Sequence, residues 1–322
     1  MKSQLKGNTF PLRAIAACLL GVVLVNTTWA QEGSVSTVPE SAKLLPGDPQ
    51  DASGAFWAVA TGGDEALVGN PYGGFVNGIQ SGTAHYFIRG SQNQWIEIAE
   101  VSPSDPAEGM SFGGALAMDN EFAVVGAGGS AYIFENIGAG TWVERAKLVG
   151  DSAQGQNFGA TVGISNDTVV VGEADDVYVY TRDGTSWPLT QILSPEPARP
   201  QFFGETVSIS GDVLAVRADL DPESDLYFLA YVYRRSASGL WVLSDRLTSP
   251  NAMPGTDAGL DLDTDGQRII IGAPGDDTRG EDAGAAYIYR RANDDSWIEE
   301  VKLLPPYEDA TPPIYWEFGW QV

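Results

Sequence analysis

Acidic side chains are the residues of this chain that could most readily do chemistry. Of its 322 residues, 43 are Asp or Glu and 18 are Lys or Arg, which gives a net charge of −25 at pH 7. One stretch, IIIGAPGDDTRGEDAGAAYIYRR from Ile269 to Arg291, places Asp276, Asp277 and Asp282 between two apolar runs. Carboxylate oxygens suit a hard cation such as Ca²⁺, but a solvated turn between two strands has the same composition. Both interpretations stay open on residue types alone.

Catalytic chemistry finds few other candidates. His85 is the one histidine and Cys18 the one cysteine, and the patterns GxSxG, HExxH and GxxxxGK do not occur. His85 falls in a strand-like segment at the slot that Ala131, Ala230 and Ala286 fill in similar segments, so we interpret it as structural. A pair of carboxylates can hydrolyse a glycoside, but among 43 acidic residues no pair stands out. We therefore expect a protein that is not an enzyme.

The first 30 residues predict a secretory signal. Basic residues precede an apolar run from Ala14 to Val25, and small residues before Gln31 indicate cleavage after Ala30. The run is too short to span a bilayer comfortably, and it continues past Cys18, whereas a lipid-anchored cysteine follows its apolar run. We expect the mature chain to be secreted, or located at the cell surface or in the periplasm, without membrane insertion. Its strong negative charge argues against nucleic acid as a partner.

The elements that must position these residues repeat along the chain. A tryptophan opens a similar segment at intervals of 47, 45, 54 and 56 residues, at Trp95, Trp142, Trp187, Trp241 and Trp297. Before each lies an aromatic alternation such as AYIF or VYVY, and before that a β-branched run such as VVVGE or IIIGA. Runs with a period of two are short strands, and Asn, Asp or Gly between them favours tight hairpins. Four strands in each tandem unit predict the blades of a β-propeller.

The order of these motifs resembles the FG-GAP repeat family, which includes the N-terminal propellers of integrin α subunits and many bacterial surface proteins. Phe-Gly pairs begin at Phe112, Phe158, Phe203 and Phe318, and a complete Gly-Ala-Pro begins at Gly272. The resemblance covers residues 42–322 and implies an all-β propeller with five complete four-stranded blades. Their approximate bounds are 56–109, 112–155, 158–200, 203–255 and 258–314. It also implies an incomplete closing blade from residues 42–55 and 318–322, with 31–41 as an N-terminal segment.

The same resemblance raises a calcium loop as an alternative. Integrin-type repeats carry the pattern DxDxDGxxD before Gly-Ala-Pro, and this chain has DLDTDGQRIIIGAP. The resemblance implies Asp261, Asp263 and Asp265 as oxygen ligands. The ninth position is Ile269 instead of an acid, and alternation along a strand would place Asp261 and Asp263 on one face of that strand. Calcium and a solvated hairpin therefore both remain open here.

Loop lengths indicate where a partner would bind. The connection between the second and third strands is long in the first, fourth and fifth units and short in the other two. Equivalent loops emerge on one face of a propeller, so the long ones would form a raised rim, and variable loops on a rigid scaffold are common recognition sites. The candidate ligand-binding residues of this rim are Tyr72, Phe75, Asp219, Asp221, Asp225, Asp276, Asp277 and Asp282.

Taken together, these features predict an exported, non-catalytic β-propeller that serves as a binding or scaffold module for an unknown protein or glycan. One alternative is a calcium-dependent adhesion module of the cell surface. Another is a propeller-type polysaccharide hydrolase or lyase. The five recurring tryptophans favour packing between blades over sugar stacking, so they support the binding module more than the enzyme.

Overall fold

A computed structural model describes most of the repeat region. The described residues are 16–18, 21–23, 57–91, 94–150, 157–173, 175–194, 203–217, 228–248, 261–280, 282–305 and 318–322. Over these ranges the chain is all-β apart from one 3-10 turn at Asp277–Arg279. Within the same ranges, no helix is long and apolar enough to cross a membrane. In the predicted signal, β1 (Ala16–Cys18) and β2 (Gly21–Val23) pair as a small hairpin.

Five four-stranded antiparallel sheets follow one another along the chain. Sheet 1 contains β3 (Val59–Gly62), β4 (Glu65–Asn70), β7 (Thr83–Arg89) and β8 (Trp95–Val101), and a hairpin of β5 (Phe75–Val76) and β6 (Ile79–Gln80) is inserted after β4. Sheet 2 contains β9 (Ala115–Asp119), β10 (Phe122–Ala127), β11 (Ser130–Asn136) and β12 (Trp142–Val149). Sheet 3 contains β13 (Thr161–Ser165), β14 (Thr168–Glu173), β15 (Asp176–Thr181) and β16 (Leu189–Leu193). Sheet 4 contains β17 (Val207–Ser210), β18 (Val213–Arg217), β19 (Phe228–Arg235) and β20 (Trp241–Thr248). Sheet 5 contains β21 (Leu262–Thr264), β22 (Arg268–Ala273), β23 (Ala285–Arg291) and β24 (Trp297–Leu303).

Each sheet is an up-and-down meander with the same local chemistry. The turn between its first and second strands contains a residue with positive φ, which Gly and Asn tolerate. These residues are Gly63 (66°), Asn120 (52°), Asn166 (54°), Gly211 (62°) and Gly266 (83°). The third and fourth strands of every sheet pair through a register shift. The hairpins expected from the sequence are thus confirmed.

The sheets pack face to face in chain order around their first strands. β3 contacts β9, β9 contacts β13, β13 contacts β17, and β17 contacts β21. Four apolar clusters lie between successive sheets, and all six residues of β10 and of β14 are buried. This radial stacking of four-stranded sheets is consistent with a propeller.

The recurring tryptophans join one sheet to the sheet before it, as the sequence predicts. The ring of Trp142 in sheet 2 meets that of Tyr86 in sheet 1 edge-on, with centroids 5.2 Å apart. Trp187 in sheet 3 meets Phe122 in sheet 2 in the same way at 5.5 Å. Trp241 lies in the cluster between sheets 3 and 4, and Trp297 in that between sheets 4 and 5.

A glycine contact between sheets explains the Phe-Gly and Gly-Ala-Pro motifs physically. The glycine next to the end of the second strand of one sheet lies against the carbonyl group of the next Phe-Gly pair. A Cβ at Gly69 would lie 1.9 Å from the oxygen of Gly113, and one at Gly126 would lie 2.0 Å from that of Gly159. The corresponding distances are 1.9 Å from Gly172 to Gly204 and 1.8 Å from Gly272 to Gly319. No side chain fits at such a distance, so glycine is required.

The last described residues continue this pattern beyond sheet 5. Phe318 forms a parallel bridge with Gly284, and the Val322 backbone N–H donates to Asp261 Oδ2 over 3.1 Å. Residues 318–322 therefore pack on sheet 5 as the start of each later sheet packs on its predecessor. The other part of the predicted closing blade, residues 42–55, and the segment 31–41 lie outside the described residues.

Candidate functional site

One face of the molecule gathers the Phe-Gly turns and the loops between second and third strands. In each sheet the first strand is antiparallel to the second. Its start therefore lies beside the end of the second strand, where the loop to the third strand also emerges. We call this side the FG face. The exposed aromatic side chains Trp57, Tyr72, Phe75 and Trp320 belong to segments on this face.

Tyr72 and Phe75, two of the predicted ligand-binding residues, are exposed on the loop between β4 and β7. Their side chains are 51% and 57% exposed. Phe75 lies in the β5–β6 hairpin, and Gln80 Nε2 donates to the carbonyl oxygen of Tyr72. At the base of the loop the buried Asn70 side chain accepts a hydrogen bond from Gly73 N at 3.0 Å. Two large apolar side chains are thus exposed to solvent on a hydrogen-bonded loop.

The acidic loop of sheet 5 differs from the expectation at Asp276. Asp276 was predicted as a ligand-binding residue of the rim, but it is buried, with 5% exposure. It accepts hydrogen bonds from Tyr287 Oη at 2.6 Å, Lys302 Nζ at 2.7 Å and the Thr278 backbone N–H at 3.0 Å. Burial raises the pKa of Asp276, but these donors outweigh it and hold the pKa below its ordinary value. Asp276 therefore fixes the loop from inside and is not available to a partner.

The remaining acidic rim residues divide into two groups. Asp277 is exposed, and its Oδ1 accepts a hydrogen bond at 2.9 Å from the backbone N–H of Asp282, a half-buried residue with φ of 50°. Both stay predictions as ligand-binding residues. Asp219, Asp221 and Asp225 lie outside the described residues.

The calcium-loop aspartates do not converge on one point. Asp265 accepts hydrogen bonds from the backbone N–H groups of Gln267 and Arg268 at 2.7 and 2.6 Å, so it caps its own hairpin. Asp263 accepts from Ser208 Oγ at 2.7 Å, and Asp261 from Leu262 N and Val322 N. Over the described ranges, no group of three or more His, Cys, Asp or Glu side chains could hold a metal ion. Calcium binding here stays a prediction.

Burial perturbs the first of these aspartates. Removal from water raises the pKa of Asp261 to about 6, and the nearby Asp263 carboxylate raises it further, against hydrogen bonds from Val322 and Leu262 that lower it. A carboxyl group of this kind lies in a partly enclosed space rather than on an open loop.

That space is a cavity of about 500 Å³ on the axis of the stacked sheets. Its wall consists of the first strands of all five sheets and the residues just before them, together with Trp320, Gln321 and Val322. We call it the axial cavity. Its wall includes the carboxylates of Glu205, Asp261 and Asp263 and the aromatic side chains of Trp57 and Trp320, but among the described lining residues there is no Lys, Arg or His.

Neither tryptophan of the axial cavity was predicted from the sequence, although the repeats contain a signal for both. The Trp57 N–H donates to the Gly69 carbonyl as the Gly113 N–H donates to that of Gly126, so Trp57 takes the place of a Phe-Gly glycine. Trp320 follows Phe318-Gly319 at the position that Gly114 has after Phe112-Gly113. Large aromatics in slots otherwise held by small residues would have been found by aligning the units.

His85 is buried, and it occupies a different slot from the one expected. Ala84 pairs with Gly69 as Ala131 pairs with Gly126, so His85 falls one position later. In the other sheets that later slot holds Tyr132, Tyr178, Tyr231 and Tyr287. His85 is 1% exposed, with Nδ1 at 2.8 Å from Glu97 Oε1 and Nε2 at 3.3 Å from Thr83 Oγ1.

Comparison with known families agrees with the repeat geometry. The family described as FG-GAP repeat matches residues 95–136, 142–184 and 241–289. This chain contains FG-GAP repeats. Each match begins at the fourth strand of one sheet and ends within or just after the third strand of the next, so it contains the Phe-Gly slot and the second-strand glycine slot of that later sheet. The family match and the five antiparallel sheets establish the same repeated unit by independent routes.

Solved structures similar to this FG-GAP chain include two natural proteins and one design. A protein from Lactobacillus plantarum is 11% identical, with a TM-score of 0.49, covering 77% of this chain and 71% of its own. A functionally unknown protein from Desulfotomaculum acetoxidans is 9% identical, with a TM-score of 0.48 and coverages of 76% and 70%. The computationally designed Ika4 protein is 15% identical, with a TM-score of 0.38 and coverages of 56% and 92%. No curated protein matches the chain in sequence.

Proposed function

We propose that this FG-GAP chain is an exported, non-catalytic β-propeller that acts as a binding or scaffold module for a protein or glycan. In this proposal the five sheets are complete blades, and residues 42–55 and 318–322 form an incomplete closing blade. The signal-like first 30 residues support export to the cell surface, the periplasm or the medium. The observation that carries the proposal is the exposed aromatic pair Tyr72 and Phe75 on the FG face.

The aromatic pair has the properties of a recognition surface. Large aromatic side chains provide much of the energy in protein interfaces, and they also stack on sugar rings. Here they are exposed on a loop that backbone and side-chain hydrogen bonds tie to sheet 1, including Gly82 N to Gly74 O at 3.1 Å. A loop that is already ordered loses little conformational entropy when a partner binds.

Trp57 extends this surface toward the axis. Its ring lies edge-on to that of Tyr72, with centroids 5.8 Å apart and planes at 88°, and 60% of Trp57 is exposed. The edge-to-face geometry is a favourable aromatic contact. Trp57, Tyr72 and Phe75 therefore offer a semi-rigid apolar surface, which we call the aromatic rim. No described feature favours calcium-dependent adhesion or polysaccharide cleavage over binding.

Removal of the aromatic rim tests this function. The probes are soluble neutral hexasaccharides of cellulose, chitin, xylan and mannan, titrated by calorimetry into the purified protein and into a Tyr72→Ala, Phe75→Ala variant. The matched control is Leu240→Ala, Val242→Ala, which removes two side chains of similar exposure, 50% and 56%, at and beyond the turn between β19 and β20 on the opposite face. We expect the rim variant, but not the control, to lose binding by at least about tenfold.

A protein partner is tested from the same positions. A photo-crosslinking amino acid replaces Phe75 or, as the control, Leu240, and the producing cells are irradiated. A discrete adduct that forms only from position 75 supports a protein partner. The proposal fails if no oligosaccharide binds and the two positions give the same adducts, or if the rim and control variants lose binding equally.

A further inference from the structure

The axial cavity has a composition that the aromatic rim does not explain. Its volume of about 500 Å³ lies in the range of small-molecule sites. Three carboxylates and two tryptophans line it, without a cationic residue among its described lining. We propose that the axial cavity binds a small organic cation, with an ammonium group held between Trp57 and Trp320 on one side and the carboxylates of Glu205 and Asp263 on the other.

The carboxylates make the cavity selective for positive charge. Glu205 comes from the start of sheet 4, and Asp261 and Asp263 come from the start of sheet 5, so the negative charge is on one side of the wall. Ser208 holds Asp263, and Arg217 Nη1 contacts Glu205 Oε2 at 3.0 Å without itself lining the cavity. A partly enclosed site with walls of low dielectric concentrates such a field. An anionic ligand is excluded for the same reason.

The tryptophans add an attraction that suits an organic cation. The face of an indole ring attracts ammonium groups, most strongly when they are desolvated. Trp57 and Trp320 are 60% and 49% exposed, so neither is needed to fill the core. In sheet 2 the equivalent slots hold Gly113 and Gly114, which shows that the fold forms without an aromatic there.

The arrangement of the carboxylates favours an organic cation over a metal ion. Calcium needs six to eight converging oxygen ligands, whereas over the described ranges no three acidic, His or Cys side chains are placed to hold a metal. A dispersed set of carboxylates matches a larger and more weakly hydrated charge. A neutral sugar could also stack on tryptophan, so charge is the property that an experiment must isolate.

Choline and its uncharged carbon isostere, 3,3-dimethyl-1-butanol, isolate that property. Each is titrated into the purified protein by calorimetry at low salt, and spermidine is titrated separately to distinguish amines from a quaternary ammonium. We expect saturable binding of choline or spermidine with one site per chain, and binding of the neutral isostere at least about tenfold weaker. Added salt is expected to weaken the binding of the cation by screening.

Variants locate the site. Asp263→Asn keeps an acceptor for Ser208, and Trp320→Ala removes a half-exposed side chain near the end of the sequence; each is expected to weaken cation binding at least about tenfold. Glu108→Gln is the matched control because Glu108 is exposed and outside the cavity lining. The thermal midpoint of each variant checks folding, and Glu205→Gln replaces Asp263→Asn if the latter does not fold.

Three results would overturn the proposal. They are equal affinity for choline and the isostere, no saturable binding of either cation, and full binding by both Asp263→Asn and Trp320→Ala. Trp57 belongs to both the aromatic rim and the axial cavity, but the Tyr72→Ala, Phe75→Ala variant retains Trp57, Trp320 and the three carboxylates, so it is expected to keep cation binding. If the wild-type protein binds the cation but no partner at the aromatic rim, the proposed function fails and the cation site stands. The reverse result rejects the cation site alone.

Discussion

At the scale of single residues, each acidic side chain acquires its role from its surroundings. Asp265 caps a hairpin, Asp276 holds a loop together from inside, and Asp261 is a partly buried carboxyl group in the wall of the axial cavity. All three are aspartates, so the residue type alone does not distinguish their roles. The packing around them decides which is a structural hydrogen-bond acceptor and which is available to a ligand.

Asp261 gives a pH prediction. Because burial raises its folded pKa to about 6, above its ordinary value of 3.8, the folded state binds this proton more tightly than the unfolded state. The contribution of Asp261 to stability is therefore largest below pH 4 and is lost as the pH rises through 6. Relative to wild type, Asp261→Asn should gain about 2 kcal/mol in unfolding free energy between pH 4 and pH 7.5.

Urea unfolding of both proteins at pH 4, 5, 6 and 7.5 measures this difference. Asp277→Asn, which changes an exposed carboxylate, is the control and should show no comparable trend. A constant difference between wild type and Asp261→Asn across this range would contradict a raised pKa for Asp261.

The acidic loop and His85 show where sequence reasoning stops at this scale. Asp276 meets Tyr287 and Lys302, which follow it by 11 and 26 residues, and only the folded sheet brings these three side chains together. His85 was placed one slot too early because an aromatic alternation fits two registers. The register is decided by Ala84 opposite Gly69, because Gly69 must lie beneath the next Phe-Gly turn.

At the scale of elements, the contact between Phe-Gly and glycine sets the spacing of neighbouring sheets. A Cβ at Gly126 would meet the Gly159 carbonyl oxygen at 2.0 Å and Ala115 Cβ at 3.0 Å, both parts of rigid elements. Gly126→Ala must therefore push sheets 2 and 3 apart or distort β10. We expect a loss of about 3 kcal/mol in unfolding free energy.

Gly62→Ala is the matched control for this change. A Cβ at Gly62 would meet only the end of the Met118 side chain, at 3.8 Å, which is an ordinary contact. Gly62→Ala should change the unfolding free energy by no more than about 0.5 kcal/mol. Chemical denaturation of both variants gives the comparison, and similar midpoints for the two would show that sheets 2 and 3 can adjust without cost.

Elements were the most predictable part of this protein. The aromatic and β-branched alternations predicted the strands, and Asn or Gly between them predicted the hairpins, because period-two patterns and positive φ are local properties. The tryptophans of the axial cavity were not predicted. Five tryptophans in equivalent core positions made the type of residue a poor guide, and exposure depends on a neighbouring sheet that a local pattern does not contain.

At the scale of the whole molecule, charged pairs connect one sheet to the next at the edge opposite the FG face. Arg291 of sheet 5 donates two hydrogen bonds of 2.9 Å to Asp212 in the first hairpin of sheet 4, and Arg235 of sheet 4 pairs likewise with Asp167 of sheet 3. Arg234 also contacts Asp212 at 3.0 Å. Bidentate pairs of this kind fix geometry as well as adding energy.

Asp212 should therefore matter for the contact between sheets 4 and 5. Hydrogen bonds from Arg291, and then from Arg234, lower the pKa of Asp212 to about 2. Its contribution is present above pH 4 and is lost as the pH falls through 2. Because Asp212 is partly exposed, we expect Asp212→Ala to cost only about 1 kcal/mol in unfolding free energy at pH 7.

Thermal unfolding at pH 7 in low and high salt tests this expectation. Asp294→Ala, which removes a carboxylate that accepts local hydrogen bonds from Ser296, two residues later in the same turn, is the control. The destabilisation by Asp212→Ala should shrink at high salt, since screening weakens partly exposed ion pairs. Equal midpoints for the two variants in low salt would remove any role for this pair between the sheets.

The contact between Phe-Gly and glycine has a consequence for how such a chain can evolve. Each of the three family matches starts in one sheet and ends in the next. It contains the Phe-Gly slot and the second-strand glycine slot of the later sheet, which belong to two successive junctions. Copying or deleting such a segment leaves every remaining glycine facing a carbonyl group. Arg217, which stands where the other sheets have this glycine, is followed by Ala258-Gly259 in place of Phe-Gly, so the two halves of one junction have diverged together. Units cut at the fourth strand can thus be added or removed without leaving a glycine unmatched, and one junction can be lost without altering its neighbours.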